Sequence, residues 1–129
     1  MRTELPPIGA VLHYVYLFLH EAKLRDEGVK ERPVIVIDVD HTTGTVAVVP
    51  VTSKGDRYPE AIVIPDAVAN VAGLALKSAV LVTQYNSFTW LGYDIRPLAQ
   101  GYIAGRLPPG FTNQIRQLAI AGGIAIGRD

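Results

Sequence analysis

At 129 residues, with 49% hydrophobic and 19% charged side chains, the chain has enough apolar surface for one packed domain and is too apolar to be disordered. Twelve basic residues balance twelve acidic ones, which argues against a dedicated binder of long nucleic acid and leaves room only for a local basic groove. The lack of cysteine rules out disulfides and thiolate metal sites and fits a cytoplasmic protein. No apolar run reaches membrane-spanning length, and the one nearest the start, 11–19, is broken by His13 and lacks the basic front of a signal peptide.

Aromatic and β-branched residues are dense over 6–20 and predict a first strand, with Pro6, Pro7 and Gly9 marking its start and helix as the alternative over 17–25. Mixed charges and Gly28 predict a solvated loop over 21–32. Residues 34–39 are apolar at every position except Asp38, the pattern of a strand buried on both faces. Asp40, His41, Thr42, Thr43 and Gly44 have turn composition, and 45–51 returns as the partner strand of a hairpin. Pro50 limits ladder pairing near its end. Residues 53–59 read as a polar loop, 61–64 as a short strand, 66–70 as one helical turn and 78–84 as a further strand. An irregular aromatic stretch follows at 86–97, then a last short strand at 101–106. Pro108 and Pro109 open a helix over 111–121, with Ile115, Leu118 and Ala119 on one side, and Gly122 and Gly123 stop it. The tail, 124–129, is open to fraying or to packing. Five or six short strands and one C-terminal helix make a mainly β fold, a small barrel closed against edge pairing, as a single domain over 1–129.

Arg32 and Pro33 before a buried strand, a turn at 40–44, and Pro50, Val51 and Thr52 ending the return strand together resemble the PemK/MazF family of toxins from bacterial toxin–antitoxin pairs. The similarity is strongest over 28–54 and extends more weakly to 78–84 and the final helix. It implies an SH3-like barrel of the PemK/MazF/CcdB type with a helix appended, and a homodimer. It also implies cleavage of single-stranded RNA without metal or cofactor, and a small antitoxin whose flexible tail covers the same groove. The chain departs from the pattern at 79–84, where some members carry an arginine and an acid and this one is uncharged. Catalytic work from that strand is absent here or falls to other residues.

RNA cuts itself when a 2′-oxygen attacks the neighbouring phosphorus. An enzyme must remove that proton, stabilise charge on the phosphoryl oxygens and protonate the departing 5′-oxygen. Arg32 suits the second task, because its planar, permanently charged fork matches phosphate oxygens two at a time. The bland alternative is a surface arginine paired with Glu31 or Asp56. Thr52 and Ser53 can donate hydrogen bonds to the same phosphate, or simply cap a turn. His20 and Glu21, beside the loop that leads to Arg32, are the candidate proton carriers. His13 is expected to be hydrogen-bonded in or near the core, His41 to be a solvated turn residue, and Asp38 and Asp40 to serve turn chemistry. The three histidines have no metal-site spacing.

Lys30, Lys54 and Arg57 are candidate RNA contacts, with Tyr58 or Tyr85 stacking on bases and Gln84 and Asn86 reading base edges. The alternative is a scattered, solvated face. Phe88, Trp90 and Tyr93 read as core or dimer-interface residues. Two other functions share this fold class: a gyrase-poisoning CcdB-like toxin, whose usual C-terminal aromatic residue is missing here, and a barrel without catalytic activity acting as a binding module.

Overall fold

The computed structural model describes residues 4–16, 31–53, 58, 60–91, 95–98 and 101–127. Within them the chain runs β1 (Ala10–Val15), β2 (Glu31–Asp40), β3 (Thr45–Thr52), β4 (Ile62–Val63), α1 (Asp66–Val71), β5 (Ala79–Val80), β6 (Gln84–Thr89), β7 (Ile103–Arg106), α2 (Pro109–Gly122) and β8 (Ile124–Gly127). The eight strands join one curled sheet in the order β4-β5-β3-β2-β1-β7, with β6 on β3 and β8 on β6. The fold is mainly β with a C-terminal helix, as the sequence predicts, but the expected five or six strands of a closed barrel are eight strands in a curled half-barrel among the described residues.

The β2–β3 hairpin is its spine. Val34, Ile35, Val36 and Ile37 are all fully buried, which requires apolar cover on both faces. Alternation sorts them. Val34 and Val36, with Val46 and Val48, face a cluster holding Leu12, Tyr14, Phe88 and Trp90. Ile35 and Ile37, with Val49 and Val51, face a second cluster with Val11, Ile64, Ile115 and Ala119, where α2 packs. Each fully buried valine or isoleucine contributes roughly 1.5–3 kcal/mol relative to exposure.

The pairing shifts register between Val36 and Asp38. This bulge brings Ile37 and Asp38 to the α2 side together, and Asp38 Oδ1 there accepts a hydrogen bond from Arg116 of α2 at 3.4 Å. The 40–44 turn closes the hairpin. Gly44 donates to the Asp40 carbonyl at 2.8 Å with a positive φ of 75°, and Asp40 Oδ1 accepts from the Thr42 and Thr43 amides at 2.9 and 3.3 Å.

Several sequence expectations change. The strand predicted at 78–84 is two strands, because β3 changes partner along one edge. Thr45–Val48 pairs with β6 and Val51–Thr52 with β5, while Pro50, which has no N–H, accepts from Leu81 through its carbonyl at 3.1 Å. β6 runs into the stretch predicted as irregular. The tail forms β8, parallel to β6 with Gln84 on Ile124 and Asn86 on Ile126, so β7 is not the last strand. β2 begins at Glu31, inside the predicted loop; the predicted first strand is confined to β1 among its described residues.

α2 buries Thr112, Ile115 and Ala119, while Leu118, expected beside them, is 47% exposed. A stripe at i, i+3 and i+7 leaves position i+6 on its flank. Gly123 ends the helix through close approach, since a Cβ there would lie 2.5 Å from the Ala119 carbonyl oxygen. No helix of the described residues is long and apolar enough to cross a membrane.

Candidate functional site

Arg32, the second residue of β2, pairs with Tyr14 of β1. Val34 pairs with Pro50 on the other side, so Arg32 and Thr52 each stand two residues further along neighbouring antiparallel strands. Alternation from Val34, and from Val51 in the α2-side cluster, turns both toward the face opposite α2. Arg32 is half-buried and its Nε is enclosed, so its stem is held and its reach is limited. Thr52 is buried beside Ala79 of β5, and Ser53 next to it is exposed.

On β6, Asn86 pairs with Val48 and is fully buried; Gln84, two residues earlier on the same face, is half-buried. With no exposed surface at all, Asn86 turns from a base-edge contact into part of the sheet interior, whereas Thr52 keeps 9% of its surface open at the end of β3. Tyr85 alternates to the opposite face and packs with the α2-side cluster. It lines a cavity of about 420 Å³ with Asp38, Asp40 and Ser87, not the face that Arg32 shares. Tyr58 is 38% exposed. His20, Glu21, Lys30, Lys54, Arg57, Asp56 and Tyr93 lie outside the described residues.

Glu31, one residue before Arg32, is on the α2 side of the sheet, where its Oε2 meets His13 Nδ1 at 3.1 Å. Alternation separates this pair from Arg32, so Glu31 is engaged with a histidine rather than with the arginine. His13 is hydrogen-bonded but partly exposed. His41 is exposed in the turn, as expected. Asp40 has its carboxyl held below the usual carboxylate range, first by the Thr42 amide and then by the Thr43 amide, against a smaller opposing effect of desolvation. Among the described residues no three or more His, Cys, Asp or Glu side chains gather in a way that could hold a metal ion.

The sequence marks Tyr14 and Tyr16 only as strand formers and assigns them no face. Both are buried on the Arg32 face, with Ala10 and Leu12 completing a strict alternation along the segment. Tyr14 stacks on Phe88 with centroids 4.9 Å apart and planes 17° from parallel. Reading every second residue from Ala10 would have found them. Phe88 and Trp90 are core, as expected, and Tyr102 meets Trp90 edge-on at 5.9 Å.

A family model described as PemK-like, MazF-like toxin of type II toxin-antitoxin system matches residues 15–89. That span is over half of the chain and runs from the end of β1 through β6. The structure is similar to MazE-MazF (Form-II) from Deinococcus radiodurans, with a TM-score of 0.57 and 16% identity over 92% of this chain and 95% of that one. It is also similar to MazE-MazF (Form-III) from the same organism, with a TM-score of 0.58 and 17% identity over the same shares. No curated protein sequence matches it significantly. At such identities the solved structures speak for the fold, which agrees with the sheet and helix described above. The matched span holds the whole β2–β3 hairpin with Arg32, Pro33, Pro50 and Thr52, and the chain belongs to the PemK-like, MazF-like toxins of type II toxin–antitoxin systems.

Proposed function

We propose that the protein is an endoribonuclease toxin that cuts single-stranded RNA by 2′-hydroxyl attack, without a metal. The observation that carries this reading is the register of the central hairpin, which sets Arg32 and Thr52 two residues beyond the Val34–Pro50 pair on one face of the sheet. In the reaction, a base takes the 2′-hydroxyl proton, the 2′-oxygen forms a bond to phosphorus, the bond to the 5′-oxygen breaks, and that oxygen receives a proton. The products are a 2′,3′-cyclic phosphate and a free 5′-hydroxyl. The Arg32 fork stabilises charge on the non-bridging oxygens, a task worth about 10²–10³ in rate for one well-placed donor. The hydroxyls of Thr52 and Ser53 orient the same phosphate. His20 and Glu21 are the proton carriers, and Lys30, Lys54, Arg57 and Gln84 hold the strand. Family membership supports two further parts of the reading: a homodimer working in the cytoplasm and a small antitoxin that neutralises it.

The test is cleavage of a defined RNA in EDTA with both ends mapped. Cyclic phosphate and 5′-hydroxyl ends are expected. A 5′-phosphate product or a strict need for Mg²⁺ rejects the mechanism. An intact fold with no cleavage leaves the gyrase-poisoning and binding-module alternatives.

A further inference from the structure

Where the N-terminal segment meets α2, a cavity of about 300 Å³ is lined by Ile8, Arg106, Pro109, Thr112, Asn113 and Arg116. Gly9 sets the path of the chain beside it: its φ of +94° favours glycine, and an added Cβ would crowd the Thr112 hydroxyl and the Leu107 carbonyl at 3.0 and 3.2 Å. Hydrogen bonds from Gly9 to the Val36 carbonyl and from Leu107 to the Gly9 carbonyl, at 2.8 and 2.9 Å, then fix Ile8 against the start of the helix.

We propose that Arg106 and Arg116 form a phosphoryl-binding site here, separate from the Arg32 centre. The lining has two guanidinium groups and no acid. Arg106 is exposed on the edge strand β7. Arg116 is aimed by its 3.4 Å contact with Asp38, an exposed pair too weak to hold the fork against a better acceptor. Among the described residues Asp38 engages one donor of that fork, Nη2, and Nε is enclosed, so the remaining terminal N–H groups are the ones that would meet an anion, with the Asn113 amide beside them. The first turn of α2 borders the cavity with neither an acidic residue nor a side-chain cap, so nothing in that turn competes for the space.

The site reads a phosphate carrying oxygen acceptors, either a phosphodiester of RNA or a free phosphate monoester. Along the sheet, Arg106 opposite Ala10 and Arg32 opposite Tyr14 flank β1 four residues apart. Strand spacings make that about 16 Å along the sheet, but Arg32 faces away from α2 while Arg116 stands on it, so a single strand engaged at Arg32 reaches this site by rounding the β7 edge.

The test measures binding of a labelled, 2′-O-methylated RNA oligomer, which cannot be cut, and of inorganic phosphate and AMP, to wild type, Arg106→Gln and Arg106→Gln/Arg116→Gln. If RNA is the source, the double variant binds the oligomer about tenfold more weakly, and the slope of log K against log salt falls by about 1.4 for two lost contacts. If a monoester is the source, phosphate and AMP binding is lost in the variants and RNA binding is not. In either case Asp38→Asn, which removes the competing carboxylate, tightens binding about twofold to threefold, a gain that a purely structural Arg116 would not give. Arg106→Gln alone keeps the test valid if losing the Asp38 contact unsettles α2. Unchanged binding of every probe in both arginine variants overturns the proposal. A wild-type protein that binds these probes without cutting RNA would end the ribonuclease reading and leave this site standing.

Discussion

Arg32 on β2 and Thr52 on β3 lie two residues beyond the paired Val34 and Pro50, on the face that Tyr14 shares. A hairpin register sets this relationship, so single substitutions can probe each side chain without moving the other. Arg32→Ala is expected to lower RNA cleavage about 10²–10³-fold while the far-ultraviolet spectrum and melting temperature stay close to wild type. Arg32→Lys keeps the charge and loses the fork, so its rate falls between the two. Initial rates on a defined RNA check both.

Thr52→Val keeps the branched shape of a buried β-strand residue and removes only the hydroxyl. Cleavage is expected to drop about 10–100-fold, with stability within about 1 kcal/mol of wild type. A rate equal to wild type would reduce Thr52 to a strand-ending residue.

Asp40 gives a pH prediction. Its carboxyl titrates lower in the folded chain than in the unfolded one, because the Thr42 and Thr43 amides bond the charged form. The folded protein therefore binds fewer protons than the unfolded chain near pH 4, and the stabilisation exists above the unfolded value of 3.8. It is lost as pH falls through the folded value. In melting curves from pH 7 to pH 2, wild type should exceed Asp40→Asn most at neutral pH, and the gap should close toward pH 2.

Gly105 on β7 passes so close to α1 that a Cβ would lie 2.0 Å from the Ala72 carbonyl oxygen. Backbone cannot rotate away as a side chain can, so Gly105→Ala is expected to cost about 3 kcal/mol. Urea unfolding measures it. A loss below about 1 kcal/mol would mean that β7 can step off the helix.

How much of this could be read beforehand depended on how local the signal was. The hairpin was legible because a run of valine and isoleucine needs cover on both sides and a five-residue turn links the two halves. The bulge at Ile37 was not, since nothing in 34–39 marks an inserted residue. The split between β5 and β6 was hidden for the same kind of reason: it arises from β3 exchanging one neighbour for another across Val49 and Pro50. β8 pairs with residues about forty positions earlier, a contact no local window contains. Within the candidate site, the sequence singled out Arg32 and Thr52 as the ends of two strands. A polar amide such as Asn86 reads as a surface group although its neighbours bury it, and Tyr14 and Tyr16 read as strand formers without a face, because their alternation shows only when the strand is taken as a whole.

The parallel pairing of β8 with β6 has a consequence during synthesis. Residues 84–87 wait for 124–127 before that flank of the sheet has a partner, so β6 is at first held on the β3 side alone. Until then the growing polypeptide presents open amide and carbonyl groups along Gln84–Thr89, the kind of edge on which nascent chains stick to one another.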